Sequence, residues 1–503
     1  MRNYPIFRLV IPLAAGIFFA ETFRLAMGGW AIGLLALLLV GQGLLLKYSS
    51  FGGRWVFGTG VFGFMFLIGM MLTEAAWKRV KVDWSAEWCN YQGVLQDTPL
   101  EKPKSYQCLV GIGTKDVLLY LPKDSFSLAL KVGDEVLFRA RMVPPAIHYW
   151  YYKGVSGTTF VPMGNWKKMN GAQRMSLKQK ALSVRERVMK KYRQWGVDER
   201  TFPVLSALTL GYKGDLDKKT REAYSMAGIS HVLALSGMHI GFLWLLLNGL
   251  LGLLMKGRLR WLKWLLVVSV LWAFAFVVGL EASVVRAVIM CMLLELGRVS
   301  GGRPLSMNTL SIAAFFMLLY RPFYLFDVSF QLSFVAVASI LYIYPVVSGS
   351  LDIKHRVGRW CWRVMSVSIA AQLGTAPLVM YYFSNFSVYF LLANLVASLV
   401  VPLIIYVSVL MLVISPLSCL RGMCVTLLDA LVSVLNGMAE WTGSLPFASF
   451  SLRGLGWVEM IVCYVVLGLG LQLWKTGRKV WLFRMLLAFV CLLGLRLWSI
   501  WYG

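Results

Sequence analysis

Two histidines, His231 and His239, stand eight residues apart in Gly228-Ile229-Ser230-His231-Val232-Leu233-Ala234-Leu235-Ser236-Gly237-Met238-His239-Ile240-Gly241, a stretch otherwise made of apolar and small residues. On a continuous helix that spacing is about 80° of rotation. Polar side chains within an apolar span need partners or water. The histidines therefore read as structural hydrogen-bonding groups, as the lining of a wet path, or as catalytic or metal-binding groups. Ser236 and His239 have the types of a nucleophile and its base, although no carboxylate stands nearby in sequence to orient the imidazole. Gly237 and Gly241 would let a neighbouring helix approach closely.

Other polar residues are scattered through apolar runs. Arg286 follows shortly after Glu281, and a cation at membrane depth must pair, snorkel or face water. A Glu281–Arg286 pair at i,i+5 is imperfectly aligned; an Arg286 facing a cavity would offer phosphate oxygens a fixed fork of donors that reads no base. Lys213 and Arg221, upstream of the histidines, are further phosphate candidates. Gln331, Gln372 and Asn394 stand singly in separate apolar runs, suited to interhelical hydrogen bonds or to a polar conduit. His148-Tyr149-Trp150-Tyr151-Tyr152-Lys153 sets four phenol or indole rings beside a cation. Stacking of bases on such rings would be sequence-tolerant, and anchoring at a membrane interface explains the same cluster.

The elements that must hold these groups follow from composition. Of 503 residues, 58% are hydrophobic and 15% charged, against about 45–50% and 25% in soluble domains. That balance excludes an ordinary soluble enzyme and a disordered chain. Apolar runs near residues 6–25, 30–46 and 55–72, and again near 232–255, 262–280, 284–296, 305–320, 328–347, 364–382, 388–401, 403–417, 457–474 and 480–498, are candidate spans. The first lacks an A-x-A cleavage pattern, so it reads as a retained anchor. Between residues 77 and 166, short alternating runs such as Val117-Leu118-Leu119-Tyr120-Leu121 read as strands of a soluble domain. The expected fold is a polytopic α-helical membrane protein of about 11–13 spans, some broken or re-entrant, with an inserted extracytoplasmic small β-barrel that is OB-like. The expected divisions are N-terminal spans (1–76), the β domain (77–166), a basic amphipathic helix (167–200), a main membrane domain (201–418), and amphipathic and spanning helices (419–503).

Fifty Lys and Arg against 23 Asp and Glu leave a formal charge of +27. Cations cluster in alternate loops: Lys256, Arg258, Arg260 and Lys263; Arg298 and Arg303; Lys354, Arg356, Arg359 and Arg363; Lys475, Arg478 and Lys479. The positive-inside rule puts these loops and the N-terminus in the cytoplasm and the β domain outside. Much of the charge is thereby topological. The basic helix from Arg174 to Arg193 and the buried-depth Arg286 are not required by that rule; the helix reads as an interfacial element or as a positive ramp toward a nucleic acid. An external β domain permits a Cys89–Cys108 disulfide, with two buried thiols as the alternative. The other cysteines show no metal spacing, no G-x-x-x-x-G-K-[ST] loop is present, and no resident metal or cofactor is implied.

The segments Leu208-Thr209-Leu210-Gly211-Tyr212-Lys213-Gly214-Asp215, Arg221-Glu222-Ala223-Tyr224 and residues 228–241 together closely resemble the signature of the ComEC family, inner-membrane channels of natural competence that pass single-stranded DNA into bacteria. Glu281-Ala282-Ser283-Val284-Val285-Arg286-Ala287, Ser329-Phe330-Gln331-Leu332-Ser333-Phe334, Ala371-Gln372-Leu373-Gly374-Thr375-Ala376-Pro377 and Leu392-Ala393-Asn394-Leu395-Val396 agree with it in order. The resemblance implies passage of one DNA strand from periplasm to cytoplasm, with a periplasmic DNA receptor and an uptake pilus delivering it and a cytoplasmic helicase or single-strand-binding proteins biasing its direction. Longer relatives carry a metallo-β-lactamase-like domain with an H-x-H-x-D-H motif; this sequence has no such motif, so a channel without enzymatic activity is the expectation. A membrane-embedded hydrolase built on Ser236, His239 and a carboxylate such as Asp327, and a scaffold of the uptake machinery, are the alternatives.

Overall fold

The computed structural model describes residues 5–24, 54–169, 175–255, 259–300, 307–451 and 455–502, with a few positions between 33 and 41. Most of the expected span at 30–46, and the cations Arg174, Lys256, Arg258 and Arg303, lie outside the described residues. Two apolar helices, α1 (Phe7–Phe23) and α2 (Arg54–Val80), pack on each other.

The change in composition that follows α2 is a change of fold. Strands β1 (Cys89–Leu95), β2 (Leu100–Glu101), β3 (Ser105–Ile112), β4 (Lys115–Pro122), β5 (Glu135–Ala140), β6 (Val155–Phe160) and β7 (Trp166–Met169) form one mixed sheet in the order β6-β4-β3-β1-β5-β7, with β2 on β3. Side chains alternate across a strand. In β5, Val136, Phe138 and Ala140 are buried while Leu137 and Arg139 are exposed; Cys108 and Val110 of β3 and Val117, Leu119 and Leu121 of β4 complete the core.

The expected barrel does not close. Strands β6 and β7 end the hydrogen-bonded path, β6 runs parallel to β4, and the link from beyond β5 to β6 is one isolated bridge, Val143 to Thr158. Pro144 and Pro145 come next and have no N–H to extend it. The Cys89–Cys108 disulfide does not form either, and both thiols are free. Val94 lies opposite Gly111 in the β1–β3 ladder, a register that puts Cys108 across from position 97 and far along the strand from Cys89. Burial in the core pushes the Cys108 thiol up to about 12.

A short helix, α3 (His148–Tyr152), precedes β6, and the basic helix α4 (Leu177–Gln194) follows β7. The first half of α4 docks on the β domain: Gln179 Nε2 donates to Leu95 O at 3.1 Å, Arg185 pairs with Asp97 at 2.8 Å, and Leu182 is fully buried. Helices α5 (Thr201–Leu210), α6 (Lys218–Met226), α7 (Gly237–Leu254), α8 (Arg260–Val278), α9 (Ala282–Val299), α10 (Met307–Tyr320), α11 (Val328–Ser348), α12 (Arg356–Phe383), α13 (Phe390–Val413), α14 (Ser418–Ser444), α15 (Trp457–Thr476) and α16 (Lys479–Tyr502) follow, with a small ribbon of β8 (Asn385–Ser387) against β9 (Ser449–Ser451). Contacts divide the chain into two compact units, residues 1–190 with 257–330, and residues 191–256 with 331–503.

Among the described residues seven helices are long and apolar enough to cross a membrane: Gly58–Val80, Arg260–Val278, Val328–Ser348, Arg356–Phe383, Phe390–Val413, Ser418–Ser444 and Trp457–Thr476. Thr201–Leu210, Gly237–Leu253 and Met307–Tyr320 are shorter apolar helices. The chain is thus a multi-pass membrane protein. Two causes of the difference from 11–13 are plain. The runs at 388–401 and 403–417 are one helix, α13, with Pro402 inside it, as membrane helices tolerate. Helix α9 carries Arg286, Glu295 and Arg298. Conversely α14, which lies in the stretch read as amphipathic and spanning, is a single helix of 27 residues.

Candidate functional site

Helix α6 ends at Met226, Gly228 turns the chain with φ +76°, and the next helical turn, Ser230–Leu233, stops after four residues. Helix α7 starts afresh because Ser236 caps it. Ser236 Oγ accepts the Met238 N–H at 3.3 Å and lies 3.1 Å from His239 Nδ1, which also accepts the Ser236 N–H at 3.3 Å. This is a capping box in which imidazole replaces the usual Glu or Gln. An accepting Nδ1 assigns the ring proton to Nε2, and Nε2 is buried without a hydrogen-bond partner among the described residues.

The break overturns the continuous helix on which the 80° relation between the histidines depended. His239 is 2% exposed and packed inside, whereas His231 is exposed. The turn at Gly228 sits against the start of α13: a Cβ there would come within 2.8 Å of Ser387 and Phe390. Helix α7 itself packs on α13, where Asn394 is half-buried in the second turn.

The other amides lie at helix contacts of the same unit. Gln331, at the start of α11, accepts the hydroxyl of Tyr382 on α12 at 2.9 Å. Gln372 is half-buried on α12, two residues before Gly374, whose carbonyl accepts Tyr464 of α15 at 2.9 Å. Lys213 and Arg221 are brought together, since Arg221 donates to the Lys213 carbonyl at 2.6 Å, and nearby Arg193 pairs with Asp215 at 2.8 Å. Arg286 belongs to the other unit, on α9, and is 4% exposed.

Two rings of α3, Tyr151 and Tyr152, are engaged by neighbouring elements. Tyr151 packs on Trp77 of α2 with centroids 5.3 Å apart, and Tyr152 stacks on Phe326 at 5.2 Å. Glu21 of α1 accepts from Tyr152 Oη at 2.9 Å and from Trp77 Nε1 at 2.6 Å. Lys153 pairs with Asp327, and Arg321 donates to the Tyr152 carbonyl at 3.3 Å. Burial opposes the charge on Lys153, but Asp327 outweighs it and holds the ammonium above its ordinary value. Of the rings expected to meet DNA, Tyr149 is exposed, at 45%, and Trp150 is half-buried in edge contact with it.

Glu21, Trp77 and Arg321 were absent from the sequence-derived site. Glu21 had a signal, being a lone carboxylate near the end of an apolar run. Asp327, the carboxylate considered for orienting a Ser236–His239 pair, has both oxygens engaged within its own unit, one by Lys153 and one by the Ser329 N–H at 2.8 Å.

Comparison with known proteins agrees with the motifs. ComE operon protein 3 of Bacillus subtilis is 28% identical over 222 residues, 44% of this chain and 27% of that protein. An uncharacterized protein of Aquifex aeolicus is 30% identical over 223 residues, 44% of this chain and 49% of its own length. Recombination protein 2 of Haemophilus influenzae is 29% identical over 221 residues, 40% of this chain and 28% of that protein. The matched stretch thus spans between about a quarter and a half of these relatives. No solved structure matches. The family described as Competence protein matches residues 208–477, more than half of the chain and all of the segment from α6 through α15. The chain belongs to this Competence protein family, the ComEC family that its motifs resemble.

Proposed function

We propose that this chain forms the conduit by which single-stranded DNA crosses the bacterial inner membrane in natural transformation. The observation that carries the reading is a coincidence of position. The competence match covers the stretch in which a helix breaks before α7 and polar groups stand at the start of apolar helices, as Ser236 does, or within them, as His239, Gln331, Gln372 and Asn394 do. Broken backbone at membrane depth is stable only against protein or a wet cavity. The names of two relatives, ComE operon protein 3 and Recombination protein 2, point the same way.

In this reading the β domain is extracytoplasmic and the N-terminus cytoplasmic, Tyr149 and Trp150 meet DNA outside, and Lys213, Arg221 and Arg286 contact phosphates. Threading a strand forms and breaks no covalent bond, so the chain acts as a channel and not as an enzyme. A periplasmic receptor and pilus deliver the DNA; a helicase or single-strand-binding proteins inside draw it on. The test is internalisation of labelled DNA by cells carrying His239→Ala or Arg286→Ala, with surface-bound DNA counted separately. Lost internalisation with binding retained is expected, and normal internalisation in both variants would overturn the assignment.

One contact favours a second reading, a membrane-embedded hydrolase: the 3.1 Å approach of Ser236 Oγ to His239 Nδ1 has the geometry of a nucleophile and base. Purified protein that turns over neither nucleic acid nor lipid substrates would remove it.

A further inference from the structure

The turn between α11 and α12 frames an open pocket of about 380 Å³ lined by Tyr344, Ser348, Asp352, Arg359, Trp362 and Arg363. Both helices are long and apolar enough to cross a membrane, and a crossing by each would set the turn that joins them at the level of the headgroups. Two chemistries meet there. Lys354, Arg356, Arg359 and Arg363 fall within ten residues, against the single carboxylate of Asp352. Lys475, at the end of α15, adds a cation 3.6 Å from the ring centroid of Tyr342 on α11. Beside these charges Leu351, Val357 and Trp360 are 54%, 61% and 41% exposed.

Helix stability does not account for the cations. Arg356, Arg359 and Arg363 crowd the first two turns of α12, where the backbone dipole is positive and further positive charge is unfavourable. Topological bias calls for cations in the loop but not for a pocket among them. The walls are fixed: Trp362 Nε1 donates to Ser348 O at 3.3 Å, and Arg359 braces the turn by donating to Ile353 O at 3.0 Å and Lys354 O at 3.2 Å. Arg363, one helical turn beyond Arg359, lines the same pocket and is exposed.

We propose that this turn binds the phosphodiester headgroup of an anionic membrane lipid, with Arg363 contacting the phosphate, Arg359 positioning the turn, and Leu351, Val357 and Trp360 meeting the apolar part of the lipid. A DNA backbone carries the same phosphodiester but no apolar tail, and the exposed apolar side chains beside the cations favour the lipid.

The test uses the full chain in nanodiscs of phosphatidylcholine with a minority of phosphatidylglycerol, reading by native mass spectrometry which lipid stays bound. Wild type should retain phosphatidylglycerol preferentially. Arg363→Gln should lower that preference about fivefold, the effect of one basic residue near an anionic surface, and Arg363→Lys should restore most of it at an unchanged unfolding temperature. Equal retention of the two lipids by wild type, or an unchanged preference in Arg363→Gln, would overturn the proposal. Displacement of the bound lipid by a short single-stranded oligonucleotide, lost in Arg363→Gln, would also overturn it by assigning the site to nucleic acid.

Discussion

Lys153 and Asp327 form an ion pair that ties the segment leading into β6 to the start of α11. The two ends are unequal, because the Asp327 side chain is 7% exposed and that of Lys153 37%. Removing the lysine strands a buried carboxylate, whereas removing the carboxylate leaves an ammonium that water can reach. Lys153→Met should therefore destabilise the protein by about 1–2 kcal/mol, below the range for a fully buried pair because the lysine is partly screened. Lys153→Met with Asp327→Asn should recover part of the loss, as measured by thermal unfolding in detergent. A raised lysine value also fixes the pH response. The contribution is full below the ordinary value of 10.5 and fades only as pH rises through the higher folded value, so this pair should add no slope between pH 6 and 9.

The Ser236–His239 capping box separates a structural role from a chemical one. Ser236→Ala should cost about 1 kcal/mol, the usual loss on removing an N-cap acceptor. Ser236→Asn keeps an acceptor at the cap and should keep both stability and DNA internalisation near wild type. If Ser236 were a nucleophile, Asn would abolish activity as fully as Ala, so an inactive but stable Ser236→Asn would show that the hydroxyl does more than cap the helix.

Much of the architecture was legible because it rests on periodicity and composition. Val136, Phe138 and Ala140 alternate as a half-buried strand should, and the long apolar runs became long helices. What escaped depended on local or distant partners. Ser236-x-x-His239 does not carry the Glu or Gln that marks a capping box, so a broken helix was read as one. The apolar runs on either side of Pro402 read as two spans, yet Pro402 lies inside α13. Helix α14, by contrast, is of spanning length although no run near 418–444 is among the expected spans. The clamp of Glu21 on Trp77 and Tyr152 joins positions 56 and 131 residues apart, and no pattern along the chain encodes such a meeting.

Asp116 on β4 makes the β domain sensitive to acid in an unusual sense. Burial raises its carboxyl above the ordinary 3.8, and the nearby charges of Lys178 and Arg321 only partly oppose this. Between the ordinary and the raised value the folded domain holds a proton that the unfolded chain has released, so stability falls as pH rises through that window. Below it, the cost of the buried charge is absent. Asp116→Asn should remove this component from the pH profile of β-domain unfolding, followed by limited proteolysis of the full chain. An identical slope in wild type and variant would show that Asp116 does not titrate in this way.

Gly374 provides the most stringent packing test within the competence-matched region. A Cβ there would stand 1.7 Å from Ser339 Oγ and 2.4 Å from Ser339 Cβ, so α11 and α12 touch at this point with no room for a methyl group. Tyr464 of α15 donates to the Gly374 carbonyl at 2.9 Å, and a shift of α12 would strain that bond as well. Gly374→Ala should destabilise by about 1–3 kcal/mol, the usual range for overpacking, and Ser339→Gly in the same chain should reverse most of it by vacating the colliding atoms. If both the loss and its rescue are seen in thermal unfolding while DNA internalisation follows stability alone, Gly374 acts as a helix-contact residue. If the double variant is stable yet fails to internalise DNA, the small side chain at position 339 or 374 has a part in passage that packing does not explain.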